Sequence, residues 1–253
     1  MIHPPDQTLS ILTQSIAIFS PHHWEPPVLE SSSGIKKVVA KFPPLIQGDP
    51  YFTKSSKQCF SDEAHSLQNI RIAHPDLMQL YVVTDKLILS EFYPLGSLEN
   101  YIERGGKPHP LNYATQLCRA LSYLHDLGYS HGQVFPYNIL VGFEGSRVLI
   151  ADFGTLGPAN KAIFQSTEPQ APDLFNAFPN ADGYKADIYS LGCIIWYMQH
   201  GGEPIPDNLV TETDSEGVCT ITGLRSHLEL VDLEKEEMEL KEIVKLCWGK
   251  VSV

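Results

Sequence analysis

No glycine precedes Gly34 in this chain. The first stretch therefore offers no residue that turns freely at positive φ, and a glycine-rich loop closing on phosphate is excluded upstream of that point. Cysteine is scarce and unpatterned: Cys59, Cys118, Cys193, Cys219 and Cys247 form no CxxC pair. Their odd number speaks for a reduced, cytosolic chain rather than a disulfide framework. Dense basic runs are missing too. The 18 Lys+Arg are scattered against 30 Asp+Glu, and a formal net charge of −12 disfavours nonspecific attraction to nucleic acid or anionic membrane. IIWYM (Ile194–Met198) and its neighbours are too short to cross a bilayer, and MIHPPDQTLSILTQSIAIFS has no basic leader before its apolar part. Neither secretion nor membrane insertion is expected, and a cytoplasmic location is. No internal repeat is visible.

What is present describes a globular protein. At 253 residues, with 43% hydrophobic and 19% charged residues, the chain can bury one large core or two lobes. The first third is rich in Pro and β-formers, and SIAIF, KKVVAKF, LMQLYVV and KLILSEF read as short strands. One helix interrupts them, from about Ser61 to Ile72, with an acidic first turn and with Ala64, Leu67, Ile70 and Arg71 along one side. After PLGS the pattern turns helical. SLENYIERG opens on Ser97 as N-cap, and NYATQLCRALSYLHDLG carries Leu117, Leu121 and Leu124 at helical spacing before Gly128. NILVGF and RVLIADF predict a hairpin, and residues 155–183 a long Pro- and polar-rich functional loop. KADIYSLGCIIWYMQHG predicts an apolar helix ended by Gly201 and Gly202. The acidic tail predicts an amphipathic helix with Leu233, Leu240, Ile243, Val244 and Cys247 on one side.

Several motifs then fall in one order. KKVVAKF, the run SDEAHSLQNIRIAHPDLMQLY, KLILSEFYPLGSLENYI, YSHGQVFPYNILV, RVLIADFGTLG, STEPQAPDLF and GYKADIYSLGCIIWYM together resemble a protein-kinase domain from about Val38 to Trp248. The resemblance implies an α+β, two-lobed protein-kinase-like fold. Residues 1–93 would form a small β-rich N-lobe, with 1–37 atypical, and 94–253 a larger, mainly helical C-lobe that looks truncated before its last helix. Within the superfamily, FPPLIQGDPYFTKSSKQCFSDEAHSL resembles the kinase-like region of a germ-cell tudor-domain protein.

By the same resemblance Lys41 takes the place of the strand lysine that binds nucleotide phosphates, and Glu63 that of its helix-borne partner, although strict spacing from His74 would put His65 there. His74 and Pro75 would form the turn after that helix. Ser90 takes the small gatekeeper position and Glu91 to Tyr93 the hinge along which adenine rests; a plain buried strand and linker reads equally well there. In the catalytic loop His131 takes the histidine position, Gly132 the arginine, Gln133 the aspartate, Phe135 the lysine and Asn138 the metal-binding asparagine. Asp152, in an intact Asp-Phe-Gly triplet, would hold Mg²⁺ with Asn138, because both offer the hard oxygens this ion prefers. Asp187 would anchor the catalytic loop and Trp196 the core. Ala171, Pro172 and Asp173 take the place of an Ala-Pro-Glu motif, and Ser166 and Thr167 lie where an activation-loop threonine would sit.

Three departures concern chemistry. Gln133 can accept a hydrogen bond but is effectively non-basic, and a well-placed general base is typically worth about 10²–10⁴-fold in rate. Phe135 removes a cation from the transferring phosphoryl group. The glycine loop is missing altogether. Together they imply a pseudokinase, a regulatory or scaffolding module with protein partners, in which Lys41, Asn138, Asp152 and Glu63 leave ATP and Mg²⁺ binding open. The rival expectations are a weakly active ATP-dependent Ser/Thr kinase and a truncated product of a longer gene.

Overall fold

The computed structural model describes residues 28–30, 37–43, 50–69, 73–154, 156–158, 182–202, 209–213, 219–224, 231–233 and 238–249. The chain divides into two compact units, residues 1–71 with 79–92 and residues 72–78 with 93–253.

Among the described residues, the first unit has a four-stranded antiparallel sheet and one helix. Strands β1 (Val28–Glu30), β2 (Lys37–Lys41), β3 (Leu80–Val83) and β4 (Ile88–Glu91) run in the order β1-β2-β4-β3. The β-branched pair Val38–Val39 suits the pleat, and the register Val39↔Ser90 and Lys41↔Ile88 sets Lys41 at the end of β2. Helix α1 runs from Pro50 to Asn69, so it begins a full three turns before the expected Ser61. The acidic turn at Ser61-Asp62-Glu63 is helix interior, where Gln58 Nε2 donates to Asp62 Oδ1 at 2.8 Å across one turn. Proline is tolerated at a first helical position because its missing N–H has no partner there anyway. Phe60, Glu63, Ala64 and Leu67 make the buried side. Ile70 and Arg71 lie outside the described residues, as does the strand expected at SIAIF; the strand expected at Leu77 starts at Leu80.

The second unit is helical with short hairpins. Helix α2 (Leu98–Glu103) starts at Ser97, whose hydroxyl accepts from Asn100 N, the N-cap the sequence predicts. Helix α3 (Pro110–Asp126) buries Tyr113, Leu117, Leu121 and Leu124, and the chain leaves it through Gly128 at φ +87°, a conformation glycine adopts without strain. A two-residue strand β5 (Tyr129–Ser130) follows, then a single 3₁₀ turn (Pro136–Asn138) and the hairpin β6 (Ile139–Val141)/β7 (Val148–Ile150). Strand β8 (Gly157–Pro158) pairs with β5. Residues 72–78 belong here: Leu77 bridges Ile150, and Met78 N donates to Ile150 O at 2.9 Å.

Helix α4 (Gly183–Gln199), capped by Asp182, is apolar around most of its circumference and buried accordingly. A hairpin that the sequence patterning did not suggest, β9 (Leu209–Thr213)/β10 (Cys219–Leu224), precedes helix α5 (Met238–Trp248). Helix α5 starts later than the acidic tail implied; Leu240 and Val244 are buried as expected and Trp248 joins them, while Ile243 and Cys247 are half-buried, Cys247 with its Cβ against Gly192 of α4. Leu233 is buried but lies before the helix. No described helix is long and apolar enough to cross a membrane.

Candidate functional site

In the first unit the sheet and helix α1 bring Lys41 and Glu63 together. Lys41 Nζ donates to both carboxylate oxygens of Glu63, at 2.9 and 2.8 Å. The Glu63 side chain is 5% exposed, so the carboxylate is held away from water and its charge is matched by the lysine. The spacing alternative, His65, points into solvent on the opposite side of α1, since Glu63 and Ala64 share the buried side with Phe60 and Leu67. Ser90 is buried in β4. Of the backbone groups at the expected hinge, Glu91 N–H donates to Gln79 O at 3.0 Å and Tyr93 O accepts from Gly96 N at 3.0 Å. The chain passes from the first unit to the second between Phe92 and Tyr93.

In the second unit a buried carboxylate organises the loop after β5. Asp187 on α4 accepts from His131 N at 2.7 Å and from Gly132 N at 2.8 Å, and lies 2.9 Å from His125 Nε2. Gly132 sits at φ +81°, a left-handed turn that costs a side-chain-bearing residue about 1–2 kcal/mol. His131 is fully buried. Burial holds its imidazole below the ordinary histidine range, opposed by the nearby Asp187 and Asp152 charges. Gln133 N donates to Nδ1 at 3.3 Å, so the neutral ring carries its proton on Nε2, which donates to Ala151 O at 3.1 Å. His131 also meets the Phe153 ring edge-on at 5.7 Å.

This arrangement sets Asn138 and Asp152 side by side in the chain fold. The β6/β7 register carries on into Ala151 N, which donates to Asn138 O at 2.8 Å, directly before Asp152. Asn138 Nδ2 donates to Gln133 O at 3.0 Å, which leaves its Oδ1 as the ligand-capable atom. Asp152 stands at φ +58°, the one left-handed non-glycine among the described residues, a strained conformation of the kind that gathers at functional sites. The amide oxygen of Asn138 and the carboxylate of Asp152 are ligand types that fit Mg²⁺, which is usually bound through one or two protein oxygens while keeping waters or substrate phosphates. No group of three His, Cys, Asp or Glu suited to a metal occurs among the described residues, so a zinc-type centre has no support there.

The two departures in the loop are equally concrete. Gln133 is half-buried and directs its backbone oxygen to Asn138. Phe135 is buried against Tyr137, ring centroids 5.3 Å apart, so an aromatic pair occupies the position that the resemblance gives to a lysine. Ser166, Thr167, Ala171, Pro172 and Asp173 lie outside the described residues.

Residue spacing gave no sign of His125, which joins Asp187 across 62 positions of sequence. Nor did it mark Ser130, whose hydroxyl is buried with no hydrogen-bond partner among the described residues. An unpaired buried hydroxyl costs about 1–3 kcal/mol. Ser130→Ala is therefore expected to raise stability by about 1 kcal/mol, read as a rise of a few degrees in the thermal midpoint; an unchanged or lower midpoint would show that the hydroxyl is satisfied in solution.

Comparison with known proteins gives the site its context. The protein kinase domain family matches residues 49–251, which leaves the Lys41 strand outside the matched span. Serine/threonine-protein kinase 12 of Arabidopsis thaliana is 29% identical over 206 residues, 75% of this chain and 43% of that protein. Mitogen-activated protein kinase kinase kinase 3 of the same plant is 33% identical over 159 residues, 56% of this chain and 24% of that protein. Tyrosine-protein kinase Btk of Drosophila melanogaster is 26% identical over 209 residues, 77% of this chain and 25% of that protein. The chain thus spans less than half the length of each of these relatives.

Proposed function

This chain belongs to the protein kinase family, and we propose that it works as a pseudokinase, a kinase-fold module that binds nucleotide with Mg²⁺ and acts through protein partners rather than by phosphate transfer. One observation carries the reading. The loop built on His131 and Asp187 is fully anchored, yet the residue it presents at the base position is Gln133, flanked by the buried Phe135. An intact frame around a non-basic group can position a hydroxyl but cannot take its proton. Lys41, paired with Glu63, would meet nucleotide phosphates, while Asn138 and Asp152 would hold Mg²⁺. The ion would neutralise phosphate charge when bound. Binding of this kind stabilises one conformation preferentially, which is how a module without turnover can act as a switch.

The formed Lys41–Glu63 pair and the strained Asp152 favour the second reading, a weakly active Ser/Thr kinase working by positioning and metal alone. Thermal unfolding with and without ATP and Mg²⁺ tests the nucleotide site. A ligand at about 100 times its Kd stabilises by about 2.7 kcal/mol, which for a domain of this size is an upward shift of roughly 5–10 °C. Lys41→Ala and Asp152→Ala should each abolish it. No shift in well-folded protein removes nucleotide from the proposal. Phosphate transfer that depends on Lys41 and Asp152 overturns the pseudokinase reading in favour of the enzyme.

A further inference from the structure

Asp76 is a buried carboxylate that holds two exposed arginines. Its Oδ2 accepts from Arg119 Nε at 2.8 Å, and its Oδ1 lies 3.9 Å from Arg147 Nε. Arg119 comes from the middle of α3 and Arg147 from the turn entering β7, so the pairing depends on the fold and not on sequence proximity. Arg147 also donates from a terminal nitrogen to Pro75 O. Each guanidinium has five N–H donors. Among the described residues, Arg119 donates only from its Nε and Arg147 only from one terminal nitrogen, its Nε at 3.9 Å from Asp76 being an ion pair beyond hydrogen-bond reach, while their side chains remain 56% and 47% exposed.

Three consequences follow from elementary electrostatics. Two guanidiniums against one carboxylate leave a local surplus of one positive charge, in a chain whose net charge is −12. Anchoring Arg119 through Nε leaves both of its terminal nitrogens undonated, and Arg147, held at Pro75 O, keeps its other terminal nitrogen; such N–H groups match tetrahedral or planar oxyanions in charge-assisted contact. The anchorage also lowers the ordering cost of binding, because each arginine is already tethered. The floor beneath is rigid: Asp76 N donates to His74 Nδ1 at 3.2 Å, and the His74 ring stacks on Tyr123 at 5.0 Å, one turn along α3 from Arg119.

We propose that Arg119 and Arg147, set on Asp76, form a docking site for a phosphorylated serine or threonine on a peptide segment of a partner. A phosphomonoester near neutral pH carries about −1.5 to −2 charges and three acceptor oxygens, enough to neutralise the surplus and engage both forks. A carboxylate carries one charge and two oxygens, and so fits one fork at most. This site is independent of the nucleotide reading, since none of its residues belongs to that machinery.

The test is binding of the full 253-residue chain to a fluorescent peptide carrying one phosphoserine between neutral residues. The same peptide with serine, the same peptide with glutamate, and inorganic phosphate as competitor complete the set. The phosphopeptide is expected to bind at least about tenfold more tightly than either unphosphorylated form. Arg119→Lys and Arg147→Lys keep the charge and Asp76's partner but lose the fork, and each is expected to weaken binding about tenfold with little change in thermal midpoint. Equal binding of the glutamate and phosphoserine peptides overturns the proposal. So does phosphopeptide binding that both lysine variants retain, and so does inorganic phosphate matching the phosphopeptide in affinity.

Discussion

Asp187→Ala is expected to destabilise the second unit by about 3–5 kcal/mol, the cost of removing one partner from a buried, hydrogen-bonded charge. The carboxylate is 1% exposed and is shared by two backbone N–H groups and one imidazole. Its removal leaves the His131 and Gly132 amides without an acceptor in the interior, and each orphaned donor carries its own desolvation penalty. Asp187→Asn supplies the contrast. It keeps the shape and one acceptor oxygen, so it should lose clearly less than alanine does. Urea unfolding of both variants decides the point. A loss under about 1 kcal/mol for alanine would mean that water replaces the carboxylate, and that the loop is not anchored as described. Because Asn138 and Ala151 hang on the same loop, the alanine variant should also lose any Mg²⁺-dependent nucleotide shift.

The second large effect is expected at Trp248. Its indole is 3% exposed at the end of α5, donates to Tyr189 O at 3.2 Å and lies against Gly192 on α4. A Cβ on Gly192 would come within 2.5 Å of Trp248 Nε1, so the close approach of the two helices needs that glycine. Trp248→Ala removes a large apolar body and leaves a cavity, for a loss of about 3–5 kcal/mol. Trp248→Phe keeps most of the burial and should cost clearly less. Gly192→Ala reaches the same contact from the other side and is expected to cost about 1–3 kcal/mol by overpacking. Thermal or denaturant midpoints of the three variants should follow that order, with alanine at 248 lowest. If Trp248→Ala unfolds like the parent chain, the α4–α5 packing does not contribute to the cooperative transition.

Both residues show where sequence reasoning reaches and where it stops. Asp187 stood out because the catalytic loop, the Asp-Phe-Gly triplet and the following apolar helix occur in a fixed order, and such order survives when single residues drift. Trp248 did not stand out. A regular face drawn over the acidic tail ended at Cys247, whereas the gap at Gly192 on the neighbouring helix takes both Cys247 and the next residue, Trp248. Helix α1 failed in a similar way: local acidity marked a start at Ser61, but the turns before it are helical as well.

The sequence by itself determined the α+β class, the short strands around Lys41 and Ser90, the cap at Ser97, and the α3 core of Leu117, Leu121 and Leu124. These follow from local rules of period, capping and residue chemistry, which act over one or two turns and are written in neighbouring letters. Tertiary structure alone decided that Glu63 and not His65 meets Lys41, that His125 joins Asp187, that His131 is buried and neutral, and that Asp76 gathers Arg119 and Arg147. Each of these is a contact between residues far apart in the chain. Charge pairing and desolvation depend on distance and burial in space, and only the packed fold sets those.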